Sequence, residues 1–502
     1  MNLLHLIRTE KLIMLFILYT SAVYLAWRLW RFTIRPRLHP DEPKTVPYWI
    51  PFIGPAISFR DFDQAVTDTI SKFNSKAPFS VTLYGSPLYI ITDPIDAAQV
   101  NRHSRAFALE PLAKQMFVKF GISELAVERL FRPDPSFSPF RGSALHAVDQ
   151  IIELYRAHIS PSNGLDSFVE DDITPRIARV LSPDALATST TASLHELCVS
   201  ALVNPIVSAY YGDIILRIQP HFAERYMAWE KTSWKFLLGL PKFMSKDMLA
   251  AKRDMVGVFV EYFSLSPGER GHENLWVSSV ERTLRDLDLT NEEIGRIFML
   301  HTSSIIGNMY KLSFWLLAHI LHNAALLNDV SLEVKPAFNP ETRVVDHTYL
   351  TESCPRLDSL YSEVLRLVVS SPMTRQVTAD TAIGDVTVPK GAKVLIMYRH
   401  LHHDTATWGP TPEVLQPERF LHDKALGTRP AYRPWGAGKH VCPGRFLAKK
   451  AVFAVVALIL GQFDISVDKD AAFPQGDLKK ASGVTALADG EDVLVSMRLN
   501  NS

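Results

Sequence analysis

The chain has 502 residues, and its 53 Lys and Arg residues are balanced by 53 Asp and Glu residues, which gives a formal net charge of zero. A neutral chain offers no electrostatic support for a general nucleic-acid role, so no nucleic-acid partner is predicted. The three cysteines, Cys198, Cys354 and Cys442, are too few and too scattered for a disulfide framework, which fits a reducing compartment.

The N-terminal part of the chain predicts a membrane anchor. Residues 12–30 are almost wholly apolar or aromatic, and such a run is near the lower limit of the ~17–25 residues that span a bilayer. Arg28, Arg31, Arg35 and Arg37 lie at its end and just beyond, which favours the cytosol for the downstream side. Because no small-residue cleavage site follows, an uncleaved anchor is favoured over a cleaved signal peptide.

A proline-rich segment follows this run, and we expect it to form a stiff tether. Proline lacks a backbone donor and breaks regular helices. The prolines are Pro36, Pro40, Pro43, Pro47, Pro51 and Pro55. We therefore predict two parts, with residues 1–37 as the anchor and its basic flank, and residues 38–502 as the tether and globular body.

The patterns along the globular body predict a β-hairpin first and mostly helices afterwards. Strand-like sequence over residues 79–91 is split by Gly85-Ser86, which predicts the hairpin. Thr290-Asn-Glu-Glu293 has the form of a capping box, so a long helix is predicted to about Asn323. Residues 140–290 are helical in pattern, with breaks expected at Pro161, Pro183, Pro205, Pro220, Pro241 and Pro267.

A short stretch near the C-terminus carries the strongest chemical signal. Residues 433–448 read RPWGAGKHVCPGRFLA, and Gly436 and Gly438 allow a tight loop whose amides turn toward the sulfur of Cys442. Pro443 suits the first turn of the helix predicted to follow. Inward amides and a helix N-terminus stabilise a thiolate, which is the form of cysteine that ligates metal. The alternative is a buried structural cysteine.

The pattern Trp-Gly-x-Gly-x-x-x-Cys-x-Gly over residues 435–444 resembles the haem-binding signature of cytochrome P450 enzymes. Two further motifs precede it in the order typical of that family, Glu363-x-x-Arg366 and Pro417-Glu-Arg419-Phe. The resemblance covers about residues 38–502, and its strong motifs all follow residue 300. It implies the cytochrome P450 fold, mainly α with small β-sheets (α+β), after an N-terminal transmembrane helix. It also implies a buried network of Glu363, Arg366 and Arg419 that locks the cysteine loop.

The resemblance implies a haem b cofactor whose iron has the Cys442 thiolate as its axial ligand. Arg375 and His440 are implied to lie near the haem propionates, although His440 stands where the family usually has Arg. Trp435 replaces the usual Phe and is implied to pack against the porphyrin, while Gly436 shapes the loop. No counterpart of the family's Trp-x-x-x-Arg propionate contact occurs between residues 130 and 160.

The middle of the long helix lacks the acid–alcohol pair that the family usually carries. Gly307-Asn308 followed by Phe314-Trp315 resembles the branch that contains sterol 7α-hydroxylases and prostacyclin synthase. Catalytic roles in the distal pocket are therefore implied for Gly307, which relieves crowding, and for Asn308, whose amide donates or accepts hydrogen bonds but is not a strong acid. The candidates for the missing hydroxyl, one turn earlier, are Thr302, Ser303 and Ser304.

The predicted function is an NADPH- and O2-dependent monooxygenase that hydroxylates or epoxidises an apolar small molecule of terpenoid, sterol or polyketide metabolism. Electrons are expected from the membrane-bound NADPH-cytochrome P450 reductase, with the catalytic domain on the cytosolic side of the endoplasmic reticulum. The alternative is a haem-thiolate isomerase that rearranges a peroxide without O2 or reductase. A docking patch for the reductase, or equally a solvated helix face, is predicted for Lys439, Arg445, Lys449 and Lys450.

The apolar stretch over residues 234–244 allows two interpretations. It reads WKFLLGLPKFM, and Gly239 and Pro241 interrupt it. Packing in the core is the default interpretation. The alternative, which the resemblance favours, is a loop that dips into the membrane and admits an apolar substrate.

Overall fold

The computed structural model describes residues 3–51, 54, 62–83, 85–134, 145–161, 164–186 and 190–500. Pro55 of the predicted tether lies outside these residues. The chain divides into two compact units. The first consists of Met1–Leu109 and Pro372–Met397, and the second consists of Glu110–Ser371 and Tyr398–Ser502.

Helices account for most of the regular structure, as predicted. Within the described residues the α-helices are, in chain order, α1 (Leu3–Leu29), α2 (Arg35–Leu38), α3 (Phe62–Phe73), α4 (Pro94–Arg102), α5 (Glu110–Phe120), α6 (Glu124–Leu130), α7 (Ala147–His158), α8 (Leu165–Ser167), α9 (Thr174–Val180), α10 (Leu194–Tyr211), α11 (Ile214–Ile218), α12 (Phe222–Leu237), α13 (Lys246–Ser264), α14 (Pro267–Arg270), α15 (Leu275–Asp286), α16 (Asn291–Leu321), α17 (Ala324–Val334), α18 (His347–Glu352), α19 (Pro355–Val368), α20 (Tyr398–His402), α21 (Thr405–Trp408), α22 (Arg419–His422) and α23 (Arg445–Gln462).

The strands are short and form small sheets. They are β1 (Lys44–Thr45), β2 (Phe79–Leu83), β3 (Ser86–Ile91), β4 (Phe107–Ala108), β5 (Thr190–Ser193), β6 (Met373–Val377), β7 (Thr381–Ile383), β8 (Val386–Val388), β9 (Lys393–Ile396), β10 (Phe463–Val467), β11 (Gly476–Ser482), β12 (Val484–Leu487) and β13 (Leu494–Leu499). A six-stranded sheet has the order β1-β2-β3-β9-β6-β4, and a three-stranded sheet has the order β10-β13-β5. The pairs β7–β8 and β11–β12 are antiparallel hairpins.

The first unit contains the predicted anchor and the six-stranded sheet. Within the helical stretch Lys11–Leu38, an 18-residue window has a mean hydropathy of 1.7 and no buried residues, so its length and composition suffice to cross a membrane. The prediction that Pro36 already belongs to a non-helical tether is wrong, because Pro36 lies in α2, which continues the helical stretch. The predicted hairpin over residues 79–91 is confirmed, with β2 and β3 antiparallel.

The second unit is organised around α16, a helix of 31 residues that packs against α10, α13, α19 and α23. The predicted capping box is confirmed, because Thr290 Oγ1 accepts the N–H of Glu293 while the Glu293 carboxylate accepts the N–H of Thr290. Glycine and proline are scarce inside α16, and most of its side chains are buried. The helix is therefore stabilised mainly by packing on several sides.

The expected helix breaks hold at five prolines and fail at one. Pro161, Pro183, Pro220 and Pro241 lie between regular elements. Pro267 begins α14 after the break at residues 265–266, since the first turn needs no donor from it. Pro205 instead lies inside α10, whose residues are mostly buried, so tertiary packing offsets the lost backbone hydrogen bond.

The apolar stretch over residues 234–244 lies at the end of α12 and in the turn that follows. Four of its large side chains are more than half exposed: Leu237 55%, Leu238 66%, Phe243 74% and Met244 52%. For these four residues, the default interpretation of core packing is wrong. The helix α12 ends at Leu237, and the chain continues through a turn into the short 3-10 helix Lys242–Met244.

The predicted network beneath the cysteine loop is present and buried. Glu363 and Arg366 on α19 are both 0% exposed, and Arg366 Nε and Nη2 donate to the two carboxylate oxygens of Glu363 at 2.8 and 2.7 Å. Arg419 Nε donates to Glu363 Oε1 at 3.1 Å, and the backbone N–H of Gln416 donates to the same oxygen at 3.2 Å. One carboxylate therefore joins α19 to the segment that leads to α22.

We expect Glu363→Ala to lower the free energy of unfolding by roughly 3–5 kcal/mol, because it leaves two arginines in the interior without their carboxylate. Urea denaturation of the purified full chain measures this. Glu418→Ala is the matched control, since Glu418 pairs with Arg356 at 3.1 Å on the surface and its loss costs about 1 kcal/mol or less. Equal unfolding midpoints for the two variants would contradict the structural role of Glu363.

Candidate active site

The segment around Cys442 is a tight loop that ends at the start of α23. Gly436 and Gly438 have φ angles of 75° and 65°, in the left-handed region that favours glycine, as predicted. The N–H of Cys442 donates to the carbonyl of Trp435 at 2.8 Å and closes the loop. Pro443 lies outside the helix and not in its first turn as predicted, because Gly444 is the N-cap.

Neighbouring segments hold this loop by its backbone. Arg156 Nη2 on α7 donates to the carbonyl of Lys439 at 2.7 Å, and Arg445 Nη1 donates to the carbonyl of Cys442 at 2.9 Å. The sequence shows no counterpart of the Trp-x-x-x-Arg propionate contact between residues 130 and 160. Arg156, which lies in that stretch, instead contacts the backbone of the cysteine loop. Because these two arginines donate to main-chain carbonyls, they hold the loop in place and do not contact the sulfur of Cys442 through these hydrogen bonds.

His402 is a second residue that no motif marked. Its Nε2 accepts the N–H of Arg433 at 3.0 Å, at the entrance of the loop, and its backbone carbonyl accepts from Arg366 Nη1 at 2.7 Å. Burial lowers the pKa of His402 to about 3, so its ring remains neutral and Nε2 remains an acceptor. His402 therefore links the Glu363 network directly to the cysteine loop.

The surroundings of the Cys442 sulfur suit a metal ligand. Burial raises the pKa of the Cys442 thiol, whereas a hydrogen bond from the Gly444 N–H and the positive charge of Arg445 lower it. Burial outweighs these two contacts, of which the backbone N–H is the kind that the sequence predicted. A buried thiolate of this kind is stable beside a metal cation, and a coordinating thiol is deprotonated. The chemistry of this donor therefore fits haem iron.

Tyr155 connects the loop to the long helix. A Cβ atom at Gly444 would lie 3.6 Å from Tyr155 Oη and 3.8 Å from Cys442 Sγ, so the hydroxyl and the sulfur both lie close to Gly444. The ring of Tyr155 makes an edge contact with His301 of α16, at 4.9 Å between centroids. Tyr155 was missed because nothing in the local sequence distinguishes it from a core tyrosine.

One face of α16 carries side chains that are not buried, whereas most other side chains of this helix are buried. We call the residues Leu300, His301, Ser304 and Asn308 the accessible stripe, since they recur at helical spacing and none is buried. Tyr155 lies close to the Cys442 loop and also contacts His301 of this stripe, so the loop and the stripe have Tyr155 as a common neighbour. The predicted Asn308 lies on this stripe, and its catalytic role stays a prediction.

The three candidate hydroxyl groups have different surroundings. Thr302 is buried, and its Oγ1 is hydrogen-bonded to Tyr211 Oη at 2.7 Å. Ser303 Oγ donates to the carbonyl of Met299 at 2.9 Å, off the accessible stripe. Ser304 lies on the stripe and is exposed, with Oγ donating to the carbonyl of Leu300 at 3.0 Å. Of the three, Ser304 is the one whose side chain is exposed on the stripe.

Gly307 is required by the packing of α12 against α16. A Cβ atom at Gly307 would lie 2.8 Å from Tyr226 Oη and 3.8 Å from Glu230 Oε2. One turn further along α16, the buried Lys311 forms an ion pair with Glu230. In the described residues, the crowding that Gly307 relieves therefore comes from α12.

The remaining predicted site residues are placed as follows. Trp435 packs at the edge of the main core of the second unit, and His440 is half-buried at the end of the short turn Gly438–His440. Arg375 lies on β6 of the first unit, is 2% exposed, and donates from Nη1 to the carbonyl of Thr374 at 2.9 Å. The contacts of His440 and Arg375 with haem propionates stay predictions.

The predicted basic patch is partly neutralised within the protein. Lys449 pairs with Asp358 at 2.6 Å, and Lys450 pairs with Asp166 at 2.8 Å. Arg445 lies over the ring of Phe446, 4.2 Å from its centroid. For Lys449 and Lys450 this favours the alternative interpretation of a helix face with its own ion pairs.

Comparison with known proteins agrees with this geometry. The family model described as Cytochrome P450 matches residues 311–490. Cytochrome P450 monooxygenase nodJ of Hypoxylon pulicicidum is 25% identical over 494 residues, which cover 91% of this chain and 88% of that protein. Cytochrome P450 monooxygenase poxD of Penicillium oxalicum is 23% identical and covers 90% of this chain and 93% of its own length.

Prostacyclin synthase of Bos taurus is 29% identical over 287 residues, which cover 52% of this chain and 57% of that protein. This similarity agrees with the branch that Gly307-Asn308 indicated. The chain therefore contains a cytochrome P450 domain and is similar over about nine-tenths of its length to two named monooxygenases, which supports an enzyme that uses haem-thiolate iron and NADPH electrons supplied through a reductase.

Proposed function

We propose that this enzyme places one oxygen atom of O2 into an apolar small molecule, by hydroxylation or epoxidation, in specialised terpenoid, sterol or polyketide metabolism. The observation that carries the proposal is Cys442, a half-buried thiol in a loop held by backbone contacts, near Tyr155, which also contacts His301 of α16. Two relatives that match about nine-tenths of the chain are both named monooxygenases, which supports the reaction class. The apolar nature of the substrate is supported by Leu300 on the stripe and by the apolar core behind it.

The residues of the second unit that would hold haem lie in the cysteine loop. Cys442 would supply the thiolate ligand, and Trp435, Gly436 and His440 of the same loop would contact the group. For Arg375, the supply of positive charge to a propionate stays a prediction of the resemblance. When bound, haem supplies activation of O2 and oxidation of the substrate, chemistry that a thiolate ligand favours by donating electron density.

The protein itself contributes position and electrostatics. The carbonyl contacts from Arg156 and Arg445 and the link through His402 hold the loop rigid. The Gly444 N–H, which hydrogen-bonds the sulfur, withdraws part of the negative charge from the thiolate. Gly307 and Asn308 are proposed to shape the distal side, where Ser304 adds a hydroxyl group. A rigid ligand and a dry apolar wall orient the substrate and exclude water.

We propose further that residues 1–37 form a single-pass anchor in the endoplasmic reticulum, with residues 38–502 as the catalytic domain in the cytosol. The uncharged span of α1 and the arginines that follow it support this orientation. NADPH-cytochrome P450 reductase in the same membrane is the proposed electron donor. Lys439, which is exposed beside the cysteine loop, is the side chain best placed to meet it.

The exposed side chains Leu237, Leu238, Phe243 and Met244 are proposed to touch the membrane as well. Large apolar side chains gathered in one turn and exposed by more than half are typical of a surface that contacts lipid or another protein. Lys242 lies in the same turn and is exposed, and cations of this kind favour the headgroup region of anionic lipids. An anchored domain already lies close to that surface.

We expect Cys442→Ser to abolish the gene-dependent product, because an alcohol does not replace the thiolate ligand. Cells that make the natural substrate are grown under ¹⁸O2 with the wild-type gene, the variant or no gene, and extracts are compared by mass spectrometry. Cys354→Ser is the control, since its hydroxyl keeps the hydrogen bond to the Glu333 carbonyl. A wild-type product carrying one labelled oxygen and requiring reductase supports the monooxygenase. A gene-dependent product without labelled oxygen would instead indicate the isomerase.

The membrane contact of the 237–244 turn is tested on the full chain in lipid nanodiscs. We expect a polarity-sensitive fluorophore on Phe243→Cys to show a blue-shifted emission that lipid-attached quenchers reduce, since the side chain enters the apolar boundary. The control is Leu332→Cys, a residue of similar exposure, 65% against 74%, on α17. Equal quenching at the two positions would contradict the contact.

A further inference from the structure

We infer that Asn308 is a positioning residue, whose side-chain oxygen anchors the turn between β11 and β12 as a wall of the substrate site. The inference rests on the proposed function, because it assigns this wall to an enzyme that oxidises an apolar small molecule. In this role Asn308 does not deliver protons. The better-placed group for proton delivery on the accessible stripe is the hydroxyl of Ser304.

The contact is direct and specific. Asn308 Oδ1 accepts the backbone N–H of Val484 at 2.9 Å. This N–H lies at the first residue of β12, directly after the turn at Gly483, whose φ angle is 89°. A buried backbone N–H that loses its partner is costly, so this hydrogen bond fixes the turn against α16.

The shape of the turn is adapted to Asn308. A Cβ atom at Gly483 would lie 2.3 Å from Asn308 Oδ1 and 2.7 Å from Asn308 Nδ2. No side chain fits there, and the positive φ angle also favours glycine. The amide group of Asn308 therefore occupies the space directly above Gly483, and the two residues depend on each other.

The opposite side of the same turn is tied to the segment after α19. Ser370 N–H donates to the carbonyl of Gly483 at 3.0 Å, and Val369 forms an isolated antiparallel bridge with Val484. Ser370 Oγ and Thr485 Oγ1 are hydrogen-bonded at 2.9 Å. The turn is therefore held from two directions, by the segment 369–370 on one side and by Asn308 on the other.

The chemistry of the amide agrees with a positioning role. The acceptor oxygen of Asn308 is already engaged by Val484, and a carboxamide does not release a proton as an acid does. What remains is the Nδ2 group, which can donate hydrogen bonds but cannot relay protons. Ser304 lies one helical turn before Asn308 on the same stripe, and its hydroxyl is exposed.

Two substitutions at Asn308 separate the possible roles. Asn308→Asp keeps an acceptor oxygen for the Val484 N–H, whereas Asn308→Leu has similar size and no acceptor. Hydrogen exchange of the Val484 backbone is measured by mass spectrometry on the haem-loaded full chain. We expect exchange to rise about 10-fold in Asn308→Leu, the equivalent of one lost hydrogen bond, and to stay at the wild-type rate in Asn308→Asp.

The same variants are then compared for the positions at which the substrate is oxidised, in the producing cells under ¹⁸O2. We expect Asn308→Leu to redistribute the labelled products, because the wall has moved, and Asn308→Asp to keep the wild-type pattern. Gly483→Ala approaches the contact from the other side, since its Cβ displaces the amide, and it should reproduce both effects of Asn308→Leu. Asn328→Leu, at an exposed site on α17, should change neither.

Two results obtained with the Asn308 variants would overturn the inference. Wild-type exchange at Val484 in Asn308→Leu would show that the hydrogen bond does not hold the turn. Faster exchange with an unchanged product pattern would show that the turn is held but is not a wall of the substrate site. A wild-type enzyme that forms no labelled product would overturn the proposed function and the wall with it, and exchange alone would still decide whether Asn308 anchors the turn.

Discussion

The carboxylate of Glu363 is the single group on which the arrangement of the cysteine loop depends. It lies in an interior without access to water, where a charge is stable only when donors surround it. Arg366, Arg419 and the N–H of Gln416 provide them. Because Arg366 also donates to the carbonyl of His402, and His402 accepts from Arg433, the constraint passes through consecutive hydrogen bonds to the entrance of the loop. The ion pair and the cysteine are far apart in sequence but belong to one rigid assembly.

The long helix α16 performs several tasks because each of its faces has a different neighbour. Thr302 faces Tyr211, Gly307 and Lys311 face α12, and Asn308 faces the turn at Gly483. A helix with 3.6 residues per turn presents such faces to separate partners. The polar residues in the middle of α16 are therefore not interchangeable sources of a hydroxyl or an amide. Most of them are already engaged in packing, which leaves Ser304 exposed on the stripe.

Local patterns predicted much of the fold, and the non-local contacts escaped them. The capping box at Thr290, the left-handed glycines of the cysteine loop and the Glu363 network follow from short spacings that carry their own physical reason. Pro205 was predicted to end a helix because propensity is local, whereas burial of α10 depends on the whole unit. Tyr155 and His402 carry no motif. The bond between Asn308 and Val484 joins residues 176 positions apart, and no spacing rule relates them.

The order of strands in the first unit has a consequence for how the chain is made. Strand β3 pairs in parallel with β9, and the apolar layer that includes Val81 and Ile90 is completed by Leu395 and Met397. Residues 1–109 leave the ribosome long before residues 372–397, so the early hairpin has to wait with one strand edge unpaired. Unpaired edges pair readily with other chains, and non-local pairings form slowly. The part of the chain that is synthesised first is thus among the last to finish folding, and it needs protection from aggregation throughout synthesis.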